Sequence, residues 1–288
     1  MSQHVSVMPD EILAWLAPQP GQTFVDGTLG GGGHTRLLAE AVGDSGQIIA
    51  LDRDAGALER AETTLKGLPI KIAQSNFCDL PEVLEEIGIP QVHGIVLDLG
   101  LSSDQLADRE RGFSFDSDGP LDLRFDVSQG QPASWYVNKL RAEDLANLIF
   151  QFGEERYSRK IARVIEERRK SQPIETASEL ADLVRRVVPK SGHIDSATRT
   201  FQALRIAVNE ELKSLELALK RFPDCLLPGG RLAILSFHSL EDVRVKEAFR
   251  NDARYEILTK KPLAATVEEV YRNPRSRSAK LRVAARVG

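Results

Sequence analysis

An apolar run closing on Val25-Asp26 leads into Gly27-Thr28-Leu29-Gly30-Gly31-Gly32-Gly33-His34, directly before a stretch that reads as a helix from about Thr35. Glycines let the backbone take positive φ and approach a ligand closely, and a helix N-terminus adds N–H donors. Consecutive glycines at a helix start weaken the fold unless a ligand lies against them, so the turn predicts a nucleotide-like cofactor. Asp52, in Ala50-Leu51-Asp52-Arg53-Asp54, follows Gly30 by 22 residues. A carboxylate there accepts hydrogen bonds from both ribose hydroxyls of an adenosine, while Asp54 is better placed to cap the next helix. Phe77, in Ser75-Asn76-Phe77-Cys78-Asp79, sets an apolar ring beside a polar turn, which suits an adenine. Asp98 closes Ile95-Val96-Leu97-Asp98, ahead of Leu99-Gly100-Leu101-Ser102-Ser103-Asp104-Gln105. Ligands bind outside the carboxyl ends of strands in open parallel sheets, so Asp26, Asp52 and Asp98 at three strand ends predict one shared site.

Other chemistries fail on the same residues. No G-x-G-x-x-G fits, because the sixth position falls on Thr35 or Arg36, and no Lys-Ser/Thr pair follows the glycines as a P-loop requires. Dehydrogenase and NTPase readings are disfavoured accordingly. Ser236-Phe237-His238-Ser239 brings a serine and a histidine to another strand end, but no G-x-S-x-G elbow surrounds Ser236. Ser236 and His238 are candidates for contacting or shaping a substrate pocket, with a structural histidine the alternative at His238. Cys78 and Cys225 form no C-x-x-C motif, and the His-x-Glu and Pro-Cys-x-x-Cys elements of a zinc deaminase are missing, so no metal is expected.

These residues need strands to carry them. Phe24 to Gly27, Gln47 to Asp52, Ile70 to Asn76 and Gly94 to Leu99 read as strands, with helical segments such as Asp54 to Lys66 between them. That alternation predicts an α/β fold with a parallel sheet covered by helices on both sides. A second series follows late in the chain, with strands at Arg231 to Phe237, Tyr255 to Lys261 and Lys280 to Val287, and a helix from Leu240 to Arg250. Between the two series, a loop-like region from Asp108 to Gln131 precedes amphipathic helices at Arg141 to Lys170, Ala177 to Val188 and Ala197 to Arg221. The predicted organisation is an α/β domain of residues 1–105 and 201–288, split by a helical insertion at 106–200.

With 288 residues, 42% hydrophobic and 28% charged, the chain can bury a large core, and no apolar run approaches the ~20 residues of a membrane span. Two cysteines fit a reducing cytosol, so a cytoplasmic location is expected. Net charge is −4, but it divides unevenly: residues 1–140 hold 9 basic against 21 acidic side chains, and the remainder hold 29 against 21. A basic second part predicts a polyanionic partner. Arg156, Arg159, Lys160 and Arg163 fall on one helical stripe, and the segment from Arg272 onward carries six basic residues and no acid, of which Arg275 and Arg277 are the better nucleic-acid candidates. Phe113 and Phe115 are candidate stacking residues for a base.

Taken together, several motifs resemble the bacterial small-subunit ribosomal RNA cytosine-N4 methyltransferase family. They are Asp26-Gly27-Thr28 with the turn ending Gly-Gly-His, Leu51-Asp52-Arg53-Asp54, Asp98-Leu99-Gly100-Leu101-Ser102-Ser103, Glu110-Arg111-Gly112-Phe113-Ser114-Phe115 and Gly119-Pro120-Leu121-Asp122. Ala197 to Arg205, Ser236 to Asp242, Asn273 to Ser278 and the early His4-Val5-Ser6-Val7-Met8-Pro9 extend the likeness over nearly the whole chain. The resemblance implies S-adenosyl-L-methionine as methyl donor and a class I methyltransferase fold, a mostly parallel seven-stranded Rossmann-like sheet with an inserted all-helical domain. It implies a cytidine in the decoding region of small-subunit (16S) ribosomal RNA as target. By motif it assigns Gly32, Gly33 and His34 to the donor, Asp52 to its ribose, Phe77 to its adenine, and Asp98 and Gln105 to its methionine end.

Cytosine N4 is a weak nucleophile because its lone pair is delocalised into the ring. Holding and orienting the amine must therefore do most of the work, and Asp98, or backbone carbonyls in the turn it begins, is the expected acceptor for it. The Asp/Asn-Pro-Pro-aromatic clamp of many amino-methylating enzymes is replaced here by Asp98-Leu99-Gly100-Leu101. Expected partners are the small ribosomal subunit and its 16S RNA, no membrane, and optionally a second copy in a homodimer. The rival readings are an amino-methyltransferase acting on DNA or a small molecule, and an RNA assembly factor that binds the donor without turnover.

Overall fold

The computed structural model describes residues 6–115, 118–190 and 195–288; His4 and Val5 of the early motif lie outside them. The first segment runs α1 (Pro9–Leu16), β1 (Thr23–Asp26), α2 (Gly33–Val42), β2 (Gln47–Asp52), α3 (Ala55–Thr64), β3 (Ile70–Gln74), α4 (Leu80–Glu86) and β4 (Val92–Asp98). Six helices follow: α5 (Ser103–Ala107), α6 (Ala133–Lys139), α7 (Ala142–Gly153), α8 (Ser158–Ser171), α9 (Ala177–Val187) and α10 (Thr198–Asn209). The chain then adds α11 (Glu211–Cys225), β5 (Leu226–Ser236), α12 (Ser239–Asn251), β6 (Tyr255–Ile257), β7 (Leu263–Ala264), α13 (Val267–Arg272) and β8 (Lys280–Arg286). Residues up to Ser102 with Leu212–Gly288 form one compact unit, and Ser103–Glu211 form another.

In the first unit the strands lie in the order β3-β2-β1-β4-β5-β8-β6, with two-residue β7 pairing β8 off that path. β1 to β5 are parallel and β8 is antiparallel to both its neighbours. Alternate residues of the central strands point to opposite faces. Val25, Ile49, Ile95 and Leu97 meet Leu80, Leu84, Phe222, Val245 and Phe249 on one side. Phe24, Ile48 and Val96 meet Ile12, Leu16, Leu38 and Val42 on the other. Both faces are thus covered by helices, and each fully buried Leu, Ile or Phe contributes about 1.5–3 kcal/mol. The sheet has the mostly parallel, Rossmann-like form of the expectation, with β7 as an extra two-residue ladder.

Parallel strands carry all their carboxyl ends to one edge. Registers of Asp26 with Ala50 and Val96, and of Asp98 with Leu235, align those ends to within a few residues. β3 stops short of the predicted Asn76 because the Ser75 N–H donates to Asp52 O at 3.0 Å and Asn76 starts a 3-10 turn at Phe77–Asp79. β5 begins at Leu226, earlier than the predicted Arg231, with a register shift between Val92 and Gly94 on its partner.

Two predicted long helices are each broken. Glu154 (φ 51°) separates α7 from α8, and Glu210 (φ 50°) separates α10 from α11. Both are left-handed residues that no composition signal marks. At the first break Gly153 admits α10: a Cβ there would lie 2.4 Å from Arg199 O. Arg199 Nη1 donates to Glu154 O at 3.2 Å, and Gln202 Nε2 to Phe152 O at 3.1 Å. α10 therefore belongs with the helical unit, whose limit falls at Glu211 where the sequence suggested about residue 200.

Candidate active site

The turn after β1 is laced to the ends of β2 and β4. Asp26 is buried; its Oδ2 accepts from Thr35 Oγ1 at 2.6 Å and its Oδ1 from the Thr28 N–H at 3.0 Å. Burial pushes the Asp26 pKa up, against the opposing pull of His34, Thr35 and Thr28. Thr28 Oγ1 accepts the Asp98 N–H at 2.7 Å, so one threonine joins the two strand-end acids. Gly30 takes φ +49° and Gly32, which opens α2 with no side-chain cap, takes φ +77°. At Gly27 a Cβ would lie 2.5 Å from Leu97 and 3.0 Å from Phe77 Cβ, which places Phe77 against this turn.

Asp52 holds the turn from the side. Its Oδ2 accepts the Gly30 N–H at 2.8 Å and its Oδ1 the Asp54 N–H at 2.9 Å. Burial outweighs these bonds and raises its pKa to about 6. Asp54 caps α3 through the Gly56 N–H at 3.0 Å, as its position predicts. Asn76 fixes the approach to Phe77, accepting the Cys78 N–H and donating to Ser214 Oγ at 2.9 Å.

His34 is buried, with Nε2 3.4 Å from Asp98 Oδ2, and neither ring nitrogen completes a hydrogen bond among the described residues. Burial disfavours its charged form. Asp98, then Asp26 and Glu269, outweigh burial, and the His34 pKa lies above its ordinary value. Glu269 stands on α13, where its Oε1 accepts the Met8 N–H at 2.7 Å. Sequence reading misses Thr28 and Glu269; Thr28 lies two residues after Asp26, but nothing in the sequence links Glu269 to a turn so far away in the chain.

The structure brings together Gly32, Gly33, His34, Asp52, Phe77 and Asp98 within the first unit. Gln105 is buried on α5 in the helical unit. Phe113 is buried there too, stacked on Phe125 at 5.9 Å with Arg111 over its ring, so it supports its unit's core and offers no platform for a base. Phe115 meets Phe201 edge-on at 5.8 Å. Ser236 is buried and donates its hydroxyl to Lys280 O at 3.4 Å. His238 opens α12 beside Glu241, whose Oε1 lies 3.1 Å from Nε2 and whose Oε2 accepts the Phe237 and His238 N–H groups. His238 thus stands against Glu241, with neither ring nitrogen completing a hydrogen bond among the described residues. Arg275 is half-buried and Arg277 exposed, both on the 3-10 turn Pro274–Ser278, whereas Lys280 and Arg282 pair with Asp242. Among the described residues no group of three His, Cys, Asp or Glu is arranged to hold a metal, and no helix is long and apolar enough to cross a membrane.

The family model described as the MraW methylase family matches residues 1–287. The chain belongs to the MraW methylase family. Curated relatives named ribosomal RNA small subunit methyltransferase H agree along the full length. That of Rhodopirellula baltica is 51% identical over 99% of this chain and 92% of its own. Those of Deinococcus deserti and Syntrophotalea carbinolica are 50% and 48% identical, each over 99% of this chain and 93% and 98% of their own. For this MraW-family chain, the residues fit S-adenosyl-L-methionine on their own geometry. Positive-φ glycines open an uncapped helix, a strand-end carboxylate stands beside them, an aromatic residue abuts the turn, and a buried imidazole lacks hydrogen-bond partners.

Proposed function

We propose that this protein transfers the methyl group of S-adenosyl-L-methionine to the exocyclic N4 of a cytidine in the decoding region of small-subunit (16S) ribosomal RNA. The observation that carries the reading is near 50% identity, over 99% of the chain, to ribosomal RNA small subunit methyltransferases. When bound, the donor supplies a methyl on a sulfonium that an amine can displace. Asp52, already oriented by two backbone N–H groups, accepts from the ribose hydroxyls; Phe77 borders the adenine; Gly32, Gly33 and His34 hold the methionine part, with Gln105 assigned to the same end. Asp98 accepts a hydrogen bond from the cytosine amine, aims its lone pair and takes up the proton that N4 sheds. Alignment of this kind is worth roughly 7–11 kcal/mol of barrier, and an acceptor for developing positive charge adds to it.

The RNA is engaged by cationic surfaces. On α8 and just before it, Arg156, Arg159, Lys160 and Arg163 are exposed, while Arg168, Arg169 and Lys170 spend their charge on Glu179, Val137 O and Glu167. The first four are suited to phosphates, as are Arg275 and Arg277. The working place of such an enzyme is the cytoplasm, with the small subunit as partner; self-association into a homodimer is tested by sedimentation. Nucleoside mass spectrometry of small-subunit RNA, from cells with and without the gene, tests the reaction. Loss of N4-methylcytidine is expected. An unchanged level overturns the reading, and methyl incorporation into DNA instead would move the substrate.

A further inference from the structure

The chain between β7 and β8 is an excursion from the edge that holds the site. Ala264 at its start and Lys280 at its end pair with each other, and Lys280 also pairs with Ser236, one residue beyond the Leu235 that faces Asp98. Residues 265–279 therefore leave and return at the carboxyl edge. Within them α13 turns Glu269 inward, to the Met8 N–H and toward His34. Its outward face carries Val267 and Tyr271, 84% and 88% exposed. Side chains this open add nothing to the core, and the pair lies at i, i+4 on one helix face. Arg272 and Arg277 are exposed on the same excursion, with Glu268 the acid on the outward face.

We propose that this outward face, Tyr271 with Val267, Arg272 and Arg277, is a stacking platform for an unpaired RNA nucleotide beside the target cytidine. The inference rests on the reading above and names how its substrate is held. Aromatic rings next to guanidinium groups bind single-stranded RNA because every base has a π-face and every linkage a negative charge. A second copy is the poorer occupant, since a two-fold contact through this face turns each copy's arginines toward the other's.

The test compares wild type with Tyr271→Ala, Tyr271→Phe and Arg277→Ala in the full chain. Affinity for a fluorescein-labelled single-stranded pyrimidine oligoribonucleotide is read by anisotropy, and KM for isolated small subunits by labelled methyl transfer. Tyr271→Ala is expected to weaken both roughly tenfold with kcat and donor affinity unchanged, and Tyr271→Phe to restore them. Arg277→Ala is expected to flatten the salt dependence by a slope of about 1. Unchanged oligonucleotide affinity and KM in Tyr271→Ala overturn the platform, as does loss of self-association without loss of RNA binding. If wild type itself leaves no methyl on N4, the functional reading fails, and the oligonucleotide measurement judges the platform separately.

Discussion

Two strand-to-helix turns on one sheet edge, β1 to α2 and β5 to α12, each bury a histidine beside a carboxylate, and they do opposite things with it. Before α12, Glu241 takes two backbone N–H groups and stands against His238, so the helix start is filled by the chain's own acid. Before α2 there is no side-chain cap, and the nearest acid to His34, Asp98, belongs to a neighbouring strand; the ring nitrogens of His34 and His238 alike complete no hydrogen bond among the described residues. A buried histidine–carboxylate pair is thus no mark of a binding site by itself. What distinguishes the open turn is that its helix has no acid in its first turn to take up backbone N–H groups as Glu241 does before α12, which leaves the helix start for a ligand.

Substitutions separate the open turn from the closed one. Asp98→Asn should lower kcat for methyl transfer, measured at saturating donor, about 100- to 1000-fold, the loss typical of a transition-state hydrogen-bond partner. Full turnover at saturating donor and RNA would remove Asp98 from the chemistry. Asp52→Ala should weaken donor binding by about 10- to 100-fold, as expected for hydrogen bonds to a charged acceptor. The pH dependence has a definite sign. With its folded pKa raised from 3.8 to about 6, Asp52 favours the donor-free fold at acid pH, and that contribution disappears as pH rises through about 6. Donor affinity should run the other way, falling below about pH 6 as the carboxyl gains a proton; a flat profile in calorimetry from pH 5 to 8 would contradict the assignment.

At the closed turn, Glu241→Ala should cost about 1–3 kcal/mol of stability in denaturant titration, because it strands buried N–H groups, yet leave donor affinity intact. If donor binding collapsed while stability held, the contrast between the turns would be wrong. The smallest effect is expected away from both. Arg159→Ala with Arg163→Ala should raise KM for small subunits a few-fold and reduce the salt slope by about 1 per residue, leaving donor binding unaltered.

Much of the open turn is legible in the chain because its signals are local. Gly30 and Gly32 mark positive φ, and continuously buried apolar runs end on Asp26, Asp52 and Asp98, which the strand registers then align. Asp54 is a recognisable cap for the same reason. The helix breaks at Glu154 and Glu210 are not legible, since both residues favour helix and are forced left-handed by the helices that pack around them. Ser236 and Phe113 mislead for a related reason. Residue type suggests a hydroxyl lining a substrate pocket and a ring for stacking on a base; the structure pairs them with a cross-strand carbonyl and a second phenylalanine. Tyr271 escapes notice because an exposed aromatic has no periodic signature; only its 88% exposure marks it.

β4 and β5 are neighbours in the sheet, yet the whole of Ser103–Glu211 is strung between them. Closing so long a loop costs little at equilibrium, since the penalty grows only logarithmically, but it delays the pairing in time. Until β5 arrives, β4 presents an unsatisfied hydrogen-bonding margin, just the template on which nascent chains stick to one another. Early condensation of the intervening helices would shorten the tether, so the helical unit would also serve the assembly of the sheet.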